Sequence, residues 1–349
     1  MKHKPEYTVA VTALNAIDNP GSGVGVIRSL RESTDFKLKI IGLSYETMEP
    51  GAYMHDLVDV TYQIPYPSAG SEHLLDRLLF INTEEKLDFI IPNFDAELKN
   101  FIKISNVLKQ YGINTLLPDL AMLTNLDKMH LHEFCAKHNM SVPKTKLLSS
   151  AEDITDLDEE FDFPVFVKGT YYEAYKAANK DQVKTYFSLL SLKWGLPVII
   201  QESIEGTEID VAGLGDGKGG LIGAVPMRKL YITDRGKGWS GVVLSDESLV
   251  EFAKKFVNAT KWRGGFELEF MRTKEDELML LEVNPRFPAW IYTTTAAGQN
   301  LPAAAVKLGM HLPVAPFDSY IAGKMFVRYS WELITDITEF QKFSTQGKL

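Results

Sequence analysis

The 349-residue sequence contains a single cysteine, Cys135, which excludes an intramolecular disulfide and a cysteine-rich metal site. Basic residues are also scarce, with 37 Lys and Arg against 46 Asp and Glu. The resulting net charge of −9 argues against nonspecific nucleic-acid binding. No apolar stretch is long enough to cross a bilayer, and the first residues are polar rather than signal-like. We therefore expect a cytoplasmic protein that binds neither nucleic acid nor a membrane.

Several catalytic patterns are missing as well. We find no Ser-His-Asp arrangement, no paired histidines at zinc spacing and no cysteine nucleophile motif. The apolar fraction of 45% and the charged fraction of 24% are ordinary for a globular protein. The length is sufficient for two or three domains.

The first third of the chain alternates apolar runs with amphipathic stretches. Strands are predicted near residues 7–14, 36–43, 88–91 and 115–117, and helices near 25–31, 73–82 and 97–111. Strands that alternate with helices imply a parallel sheet with crossover helices, hence an α/β fold.

The turn after the first predicted strand is rich in glycine, at Gly21, Gly23 and Gly25. Such a turn before a helix can hold an anion. The dinucleotide-binding spacing is not met, because Val26 stands three residues beyond Gly23, and no acid ends the second strand. An oxidoreductase that uses a dinucleotide is therefore the least supported alternative.

The rest of the chain predicts mixed α+β structure. A helix capped by Thr124 or Asn125 runs to about residue 139 and carries Lys128, and a short apolar strand ends in Lys168. Further helices are predicted at 181–194 and 247–260, and strands at 197–202, 209–214 and 221–231. We interpret 233–241 as a loop. Arg228 and Lys229, with the following Asp234 and Arg235, could form a basic wall or a solvated hairpin, and Arg228 is the stronger candidate.

Two acidic strands near the end carry the strongest chemical signal. Residues 266–270 and 278–282 flank a polar segment that predicts a hairpin turn, so antiparallel pairing would bring Glu269 beside Glu282. Asn284 lies two residues beyond Glu282 and shares its face, and Arg286 follows on that face. Oxygen ligands of this kind suit Mg²⁺ together with substrate phosphates. For Glu267 we expect a solvated face, although it shares a strand face with Glu269.

The order of these features resembles the ATP-grasp superfamily, above all its carbamoyl-phosphate-synthase-like and biotin-carboxylase-like carboxylate-amine ligases. The sequence has a lysine on a helix, a lysine on a strand, a third strand leading into Glu202-Ser203-Ile204-Glu205-Gly206, and the segment Glu282-Val283-Asn284-Pro285-Arg286. The resemblance implies an ATP-grasp fold with an N-terminal Rossmann-like domain. It divides the chain into that domain (1–117), a linker helix and lid (118–203), a central antiparallel domain (204–325) and a C-terminal appendage (326–349). The segment between about 141 and 200 is the expected lid.

The resemblance also implies roles for individual residues. ATP would be held by Lys128 and Lys168 at its phosphates, by Glu202, Ser203 and Ile204 at adenine, and by Glu208 at ribose. Glu269, Glu282 and Asn284 would bind Mg²⁺, with Mn²⁺ as an alternative ion. Glu267 shares the strand face of Glu269 and stays open as the alternative metal ligand at that position. Arg286 would clamp the transferred phosphoryl group or the substrate carboxylate, and Lys168 and Arg228 would assist.

The implied reaction is ATP-dependent activation of a small-molecule or peptide carboxylate as an acyl phosphate, which an amine then attacks. One departure supports an alternative, a catalytically impaired ATP-binding module. The glycine-rich loop expected after the second lysine retains only Gly169, so Tyr172, Tyr175 and Lys176 would have to take part. The substrates and the oligomeric state stay open, with a homodimer as one arrangement.

Overall fold

The computed structural model describes residues 4–16, 20–170, 173–233 and 236–349. The chain forms two compact units. The first unit comprises residues 1–120, 210–267 and 284–349, and the second comprises 121–209 and 268–283. In the described residues, no helix is long and apolar enough to span a bilayer.

The first unit begins with a five-stranded parallel sheet of order β3-β2-β1-β4-β5. Its strands are β1 (Glu6–Val11), β2 (Lys37–Ser44), β3 (Val60–Gln63), β4 (Phe89–Ile91) and β5 (Asn114–Thr115). Its helices are α1 (Ser22–Arg31), α2 (Ser71–Glu85) and α3 (Asp95–Gln110). Val9 of β1 aligns with Ile40 on one side and Phe89 on the other, and all three are buried. The predicted α/β pattern is confirmed, and β3 is an addition to it.

Helices α4 (Leu120–Asn125) and α5 (Leu131–Lys137) replace the single helix that the sequence predicts. The break arises at Asp127, whose Oδ1 accepts the backbone N–H groups of Met129 and His130 at 3.0 and 3.1 Å. A side chain that bonds the nearby backbone competes with the helix. The prediction that Lys128 lies on a helix is therefore wrong, because this residue lies in the turn between the two helices.

The second unit contains a four-stranded antiparallel sheet of order β6-β9-β7-β8. Its elements are β6 (Thr145–Leu148), α6 (Leu157–Glu160), β7 (Val165–Lys168), β8 (Ala174–Ala177), α7 (Lys180–Trp194) and β9 (Val198–Glu202). Val165 and Val167 of β7 pack with Val183 and Leu190 of α7 in one buried cluster. Lys168 ends its strand as predicted.

A six-stranded sheet has the order β14-β13-β10-β11-β12-β15. Its strands are β10 (Gly206–Asp216), β11 (Leu221–Ile232), β12 (Gly238–Val243), β13 (Arg263–Thr273), β14 (Leu278–Asn284) and β15 (Met325–Val327). Helix α8 (Glu247–Thr260) precedes β13, and α9 (Tyr292–Ala296), α10 (Leu301–Gly309) and α11 (Ile337–Gln346) complete the chain. Strand β12 corrects the prediction of a loop at 233–241.

The C-terminal residues pair with the first sheet. Thr61 and Leu349 exchange two backbone hydrogen bonds of 2.9 Å, and Lys348 forms an antiparallel bridge with Tyr62. Phe343 of α11 is fully buried in a cluster with Ala52 and Tyr53.

Candidate functional site

The hairpin of β13 and β14 positions the predicted metal ligands. The N–H of Thr273 donates to the carbonyl of Glu277 at 2.9 Å, which closes the turn where the sequence predicts it. Further along the hairpin, Nδ2 of Asn284 donates to Oε2 of Glu267 at 3.0 Å. Because the strands run antiparallel, we infer from this contact that Glu269 lies beside Glu282 as the next cross-strand pair.

Glu267 is buried in the first unit, with 6% of its surface exposed, and its carboxylate contacts several polar side chains. Its Oε1 accepts Nε1 of Trp290 at 2.8 Å, and its Oε2 lies 3.5 Å from Nη1 of Arg286. The prediction of a solvated face for Glu267 is wrong. A buried carboxylate needs donors, and nothing in the sequence signals this burial, because Phe266 and Leu268 lie on the opposite face of the strand.

Arg286 also contacts the start of α3. Its Nε lies 3.0 Å from Oδ2 of Asp95. The guanidinium is thus held between two carboxylates. Asp95 is 191 residues away in sequence, and sequence reasoning did not identify it.

The guanidinium of Arg328 also interacts electrostatically with Glu267. Burial lowers the pKa of Arg328 to about 10, and Glu267 opposes that shift. The Nε of Arg328 donates to the carbonyl of Gly238 at 3.0 Å.

The second unit brings four predicted site residues together. Nζ of Lys128 lies 3.4 Å from Oε1 of Glu282, and Nζ of Lys168 donates to Oε1 of Gln201 at 2.6 Å. Burial lowers the pKa of Lys168, and the charges that act on it are Glu282, Lys128 and Glu269 in that order. Gln201 is a site residue that the sequence did not reveal, since it reads as one more strand position.

The two lysines line a small cavity of about 20 Å³ in the second unit. The other polar side chains in its wall are His132, Thr145 and Gln201, and Leu280 and Leu281 are among its apolar ones. Polar and apolar side chains thus contribute equally to the lining, and both lysines lie in one wall.

The segment that is predicted to contact adenine begins at Glu202, the last residue of β9. The carbonyl of Lys144 accepts the N–H of Glu202 at 3.0 Å, and the Glu202 carboxylate accepts the N–H of Lys144 at 2.6 Å. Ser203 and Ile204 lie half-buried between β9 and β10, and Glu208 lies half-buried on β10.

The loop after Lys168 is attached to α7. Gly169 donates its N–H to the carbonyl of Glu173 at 3.0 Å, and Oε2 of Glu173 accepts Nε1 of Trp194 at 3.2 Å. Tyr175 stacks on Tyr186 of α7 with 4.8 Å between ring centroids. Tyr172 lies outside the described residues.

The predicted basic wall is only partly present. Arg228 is exposed on β11 opposite Val242, whereas Lys229 is half-buried, with 8% of its side chain exposed and its Nζ 3.3 Å from Oδ1 of Asp210. Asp234 and Arg235 lie outside the described residues.

The glycines of the first turn have a packing explanation. A Cβ on Gly23 would lie 2.0 Å from the carbonyl oxygen of Thr12, and one on Gly21 would lie 2.4 Å from that of Ala13. These glycines therefore allow close backbone approach, which requires no anion.

Glu269 and Glu282 are the candidate carboxylate ligands for a magnesium ion in the second unit. Within the described parts of the chain, no three His, Cys, Asp or Glu side chains are grouped closely enough to hold a metal by themselves. Two carboxylates partnered by ammonium groups remain at Glu269 and Glu282. They fit Mg²⁺ that is bound by one or two carboxylates together with substrate phosphates and water.

Residues 196–327 match a family model described as ATP-grasp in the biosynthetic pathway with Ter operon. The carbamoyl phosphate synthase large chain of Clostridium beijerinckii is 25% identical over 241 residues, which cover 65% of this chain and 22% of that protein. The chain thus spans about a fifth of the length of this relative.

Two solved structures share the fold. Biotin carboxylase from Campylobacter jejuni, in a β,γ-ATP complex, has a TM-score of 0.73 at 17% identity and covers 91% of this chain and 74% of its own. The biotin carboxylase domain of the Hydrogenobacter thermophilus 2-oxoglutarate carboxylase, solved with MgADP and bicarbonate, has a TM-score of 0.70 at 17% identity. It covers 90% of this chain and 72% of its own.

Proposed function

We propose that this chain is an ATP-grasp protein and works as an ATP-dependent ligase that activates a carboxylate for attack by an amine. The observation that carries the proposal is the group of Lys128, Lys168, Glu269 and Glu282 in the second unit. Two ammonium groups and two carboxylates beside a cavity suit a nucleoside triphosphate with its metal ion.

Each member of this group has a proposed task. Lys128 and Lys168 bind the phosphates of ATP as cations, and Glu202, Ser203, Ile204 and Glu208 bind the adenosine part. Glu269 and Glu282 hold Mg²⁺, with Asn284 as a further oxygen ligand on the same strand as Glu282. Bound Mg²⁺, or Mn²⁺ in its place, would neutralise charge on the phosphate oxygens.

Arg286 is the proposed clamp for the transferring group, with Arg228 as a second cation. A guanidinium binds a carboxylate or phosphoryl group through two parallel hydrogen bonds. Glu267 and Asp95 orient Arg286, so it is positioned before substrate arrives.

The proposed reaction passes through an acyl phosphate. The substrate carboxylate oxygen attacks the γ-phosphorus of ATP and ADP leaves. The amine then attacks the acyl carbon and expels phosphate. The protein contributes positioning and charge neutralisation rather than a covalent step.

The test separates the ligase from an impaired ATP-binding module, which the attached and glycine-poor loop after Lys168 supports as the alternative. The full-length protein is incubated with MgATP, carboxylate panels and hydroxylamine, which converts acyl phosphates to hydroxamates. ADP release coupled to hydroxamate supports the ligase. Calorimetric ATP binding without ADP release on any panel supports the binding module.

A further inference from the structure

A segment of the first unit, residues 324–336, is exposed along nearly its whole length. This segment, named here the arm, comprises β15 and the residues that lead to α11, and residues 328–336 form neither helix nor strand. Its exposed apolar side chains, each between 39 and 88% accessible, are Met325, Val327, Tyr329, Trp331, Leu333 and Ile334. The arm is therefore an apolar surface that the described residues leave largely uncovered.

The arm begins with an open strand edge. Strand β15 is the last strand in the order of its sheet and pairs with β12 on one side. The N–H of Arg328 donates to the carbonyl of Trp239 at 3.0 Å, and the carbonyl of Lys324 accepts a β12 N–H at 2.8 Å. Because backbone groups of alternate residues point to opposite sides of an antiparallel strand, those of Met325 and Val327 face the open edge. Such an edge is a template for pairing with another chain.

Side chains at the start of the arm also alternate between two environments. Phe326 packs against the core of the first unit, and Nε of Arg328 donates to the carbonyl of Gly238 at 3.0 Å. The exposed ring of Tyr329 lies 5.5 Å from the ring of Trp331, in an edge-to-face contact within the arm. One side of the arm is thus anchored to its own sheet, and the other side is free for a partner.

The arm is self-complementary when its sequence is aligned antiparallel to itself about Ser330. Lys324 then lies opposite Asp336, and Arg328 lies opposite Glu332. The remaining pairs are Met325 with Thr335, Phe326 with Ile334, Val327 with Leu333 and Tyr329 with Trp331. Opposite charges and aromatic or β-branched residues stabilise an antiparallel pair when they lie directly across from each other. A patch that complements itself is the requirement of a two-fold dimer.

The exposed area of the arm is sufficient for one side of a dimer interface. At about 150–250 Å² for an aromatic and about 60–120 Å² for an aliphatic side chain, its exposed apolar residues present roughly 400–700 Å². A standard interface buries about 800 Å² per partner, of which a little over half is apolar. The apolar share that a stable dimer needs is therefore available on the arm alone.

We propose that the arm is a dimerisation site whose partner is the arm of a second copy of this chain, paired antiparallel about Ser330. In the dimer, β15 of each copy gains a second neighbouring strand, and the apolar side chains of the two arms cover one another. This assembly is independent of the proposed ligase function and needs no ATP.

The first test is the mass of the protein in solution. Sedimentation equilibrium at protein concentrations up to about 100 μM detects any dimer with a micromolar dissociation constant. We expect a mass of twice the 39.2 kDa of one chain. The substitution Glu332→Lys sets like charges opposite Arg328 at both symmetry-related positions and should raise the dissociation constant about tenfold or more. Glu275→Lys, an exposed acid outside the arm, is the matched control and should leave the dissociation constant unchanged.

The second test examines the register of the two arms. Opposite residues whose backbone groups point away from each other have Cα atoms about 4.5 Å apart, which a disulfide can bridge. The substitution Ser330→Cys should therefore give a crosslinked dimer on mild oxidation, seen on a non-reducing gel. Glu332→Cys is the matched control, because the two thiols would be about 13 Å apart in this register, beyond the reach of a disulfide. The native Cys135 is buried and should not contribute.

Three outcomes would each overturn the proposal. They are a wild-type mass of one chain at the highest concentration, an unchanged dissociation constant in Glu332→Lys, and crosslinking of Glu332→Cys as fast as that of Ser330→Cys. If circular dichroism shows that Glu332→Lys is unfolded, the comparison of the two cysteine variants decides.

Discussion

The side-chain amide of Asn284 donates to Glu267 across two neighbouring strands, at 3.0 Å. This contact links the predicted metal-binding strand to a buried carboxylate that also faces Arg286 and Trp290. Glu267 therefore lies on no solvated face, and under the proposed function it would position Asn284 and Arg286.

The substitution Glu267→Gln should lower the free energy of unfolding by about 2–3 kcal/mol, because the half-buried guanidinium of Arg286 loses one of its two carboxylate partners. Urea unfolding followed by circular dichroism measures the change. Glu275→Gln, at the exposed hairpin turn, is the control and should be nearly neutral. Equal stability of the two variants would mean that Glu267 contributes little to the packing of this region.

Glu282→Gln should reduce ADP release by about 10²–10³-fold while the circular dichroism spectrum stays unchanged, since one of the two carboxylates proposed to hold Mg²⁺ beside the reacting phosphates loses its charge. Glu277→Gln, which changes an exposed acid of the same hairpin, is expected to keep wild-type activity. The dependence of the rate on magnesium concentration is measured for both variants. A wild-type dependence in Glu282→Gln would rule out the metal assignment.

Lys168→Met should weaken MgATP binding by about 10–100-fold, which calorimetry can measure. The melting temperature of the free protein should change little, because the substitution removes the hydrogen bond to Gln201 but also removes an ammonium group whose burial is unfavourable and lowers the pKa of Lys168. Lys184→Met is the control, because Lys184 is exposed on α7 and pairs with Asp181 at 3.4 Å. Unaltered ATP affinity in Lys168→Met would remove Lys168 from the nucleotide site.

The ionisation of Glu85 predicts how the stability of the first unit changes at acidic pH. Burial opposes ionisation, but hydrogen bonds from Lys39, Tyr62 and Lys348 outweigh it and lower the pKa of Glu85 from 4.5 to about 2. A pKa that is lower in the folded state stabilises the protein above about 4.5, and this contribution is lost as the pH falls towards 2.

Glu85→Gln should therefore cost about 1–3 kcal/mol at neutral pH, and the difference from wild type should shrink as the pH falls through that window. Denaturant unfolding at neutral pH and at about pH 3 tests this. Glu72→Gln, an exposed acid on the same helix, should show no comparable difference. A constant difference at both pH values would contradict the role of the Glu85 charge.

The periodic elements could be predicted from sequence because local patterns determine them. The helix predicted at 247–260 coincides with α8, and the lysine-terminated strand coincides with β7. The hairpin that carries Glu269 and Glu282 could be predicted because its turn is polar and because acidic and apolar residues alternate along its first strand. The four-part domain division and the individual ligand roles remain predictions.

What the sequence could not supply were contacts between distant segments. Asp95 and Arg286 pair across 191 residues, and Gln201 meets Lys168 across a sheet. Lys128 was misplaced because one aspartate side chain interrupts a helical pattern. Glu267 was misjudged because burial depends on the tertiary neighbours Trp290 and Arg286.

Residues 347–349 have a protective consequence for the parallel sheet. They run alongside β3, whose outer N–H and carbonyl groups would otherwise face solvent. An uncovered strand of this kind is a template for pairing with other polypeptides. By pairing with β3, residues 347–349 hinder aggregation that would begin at this edge.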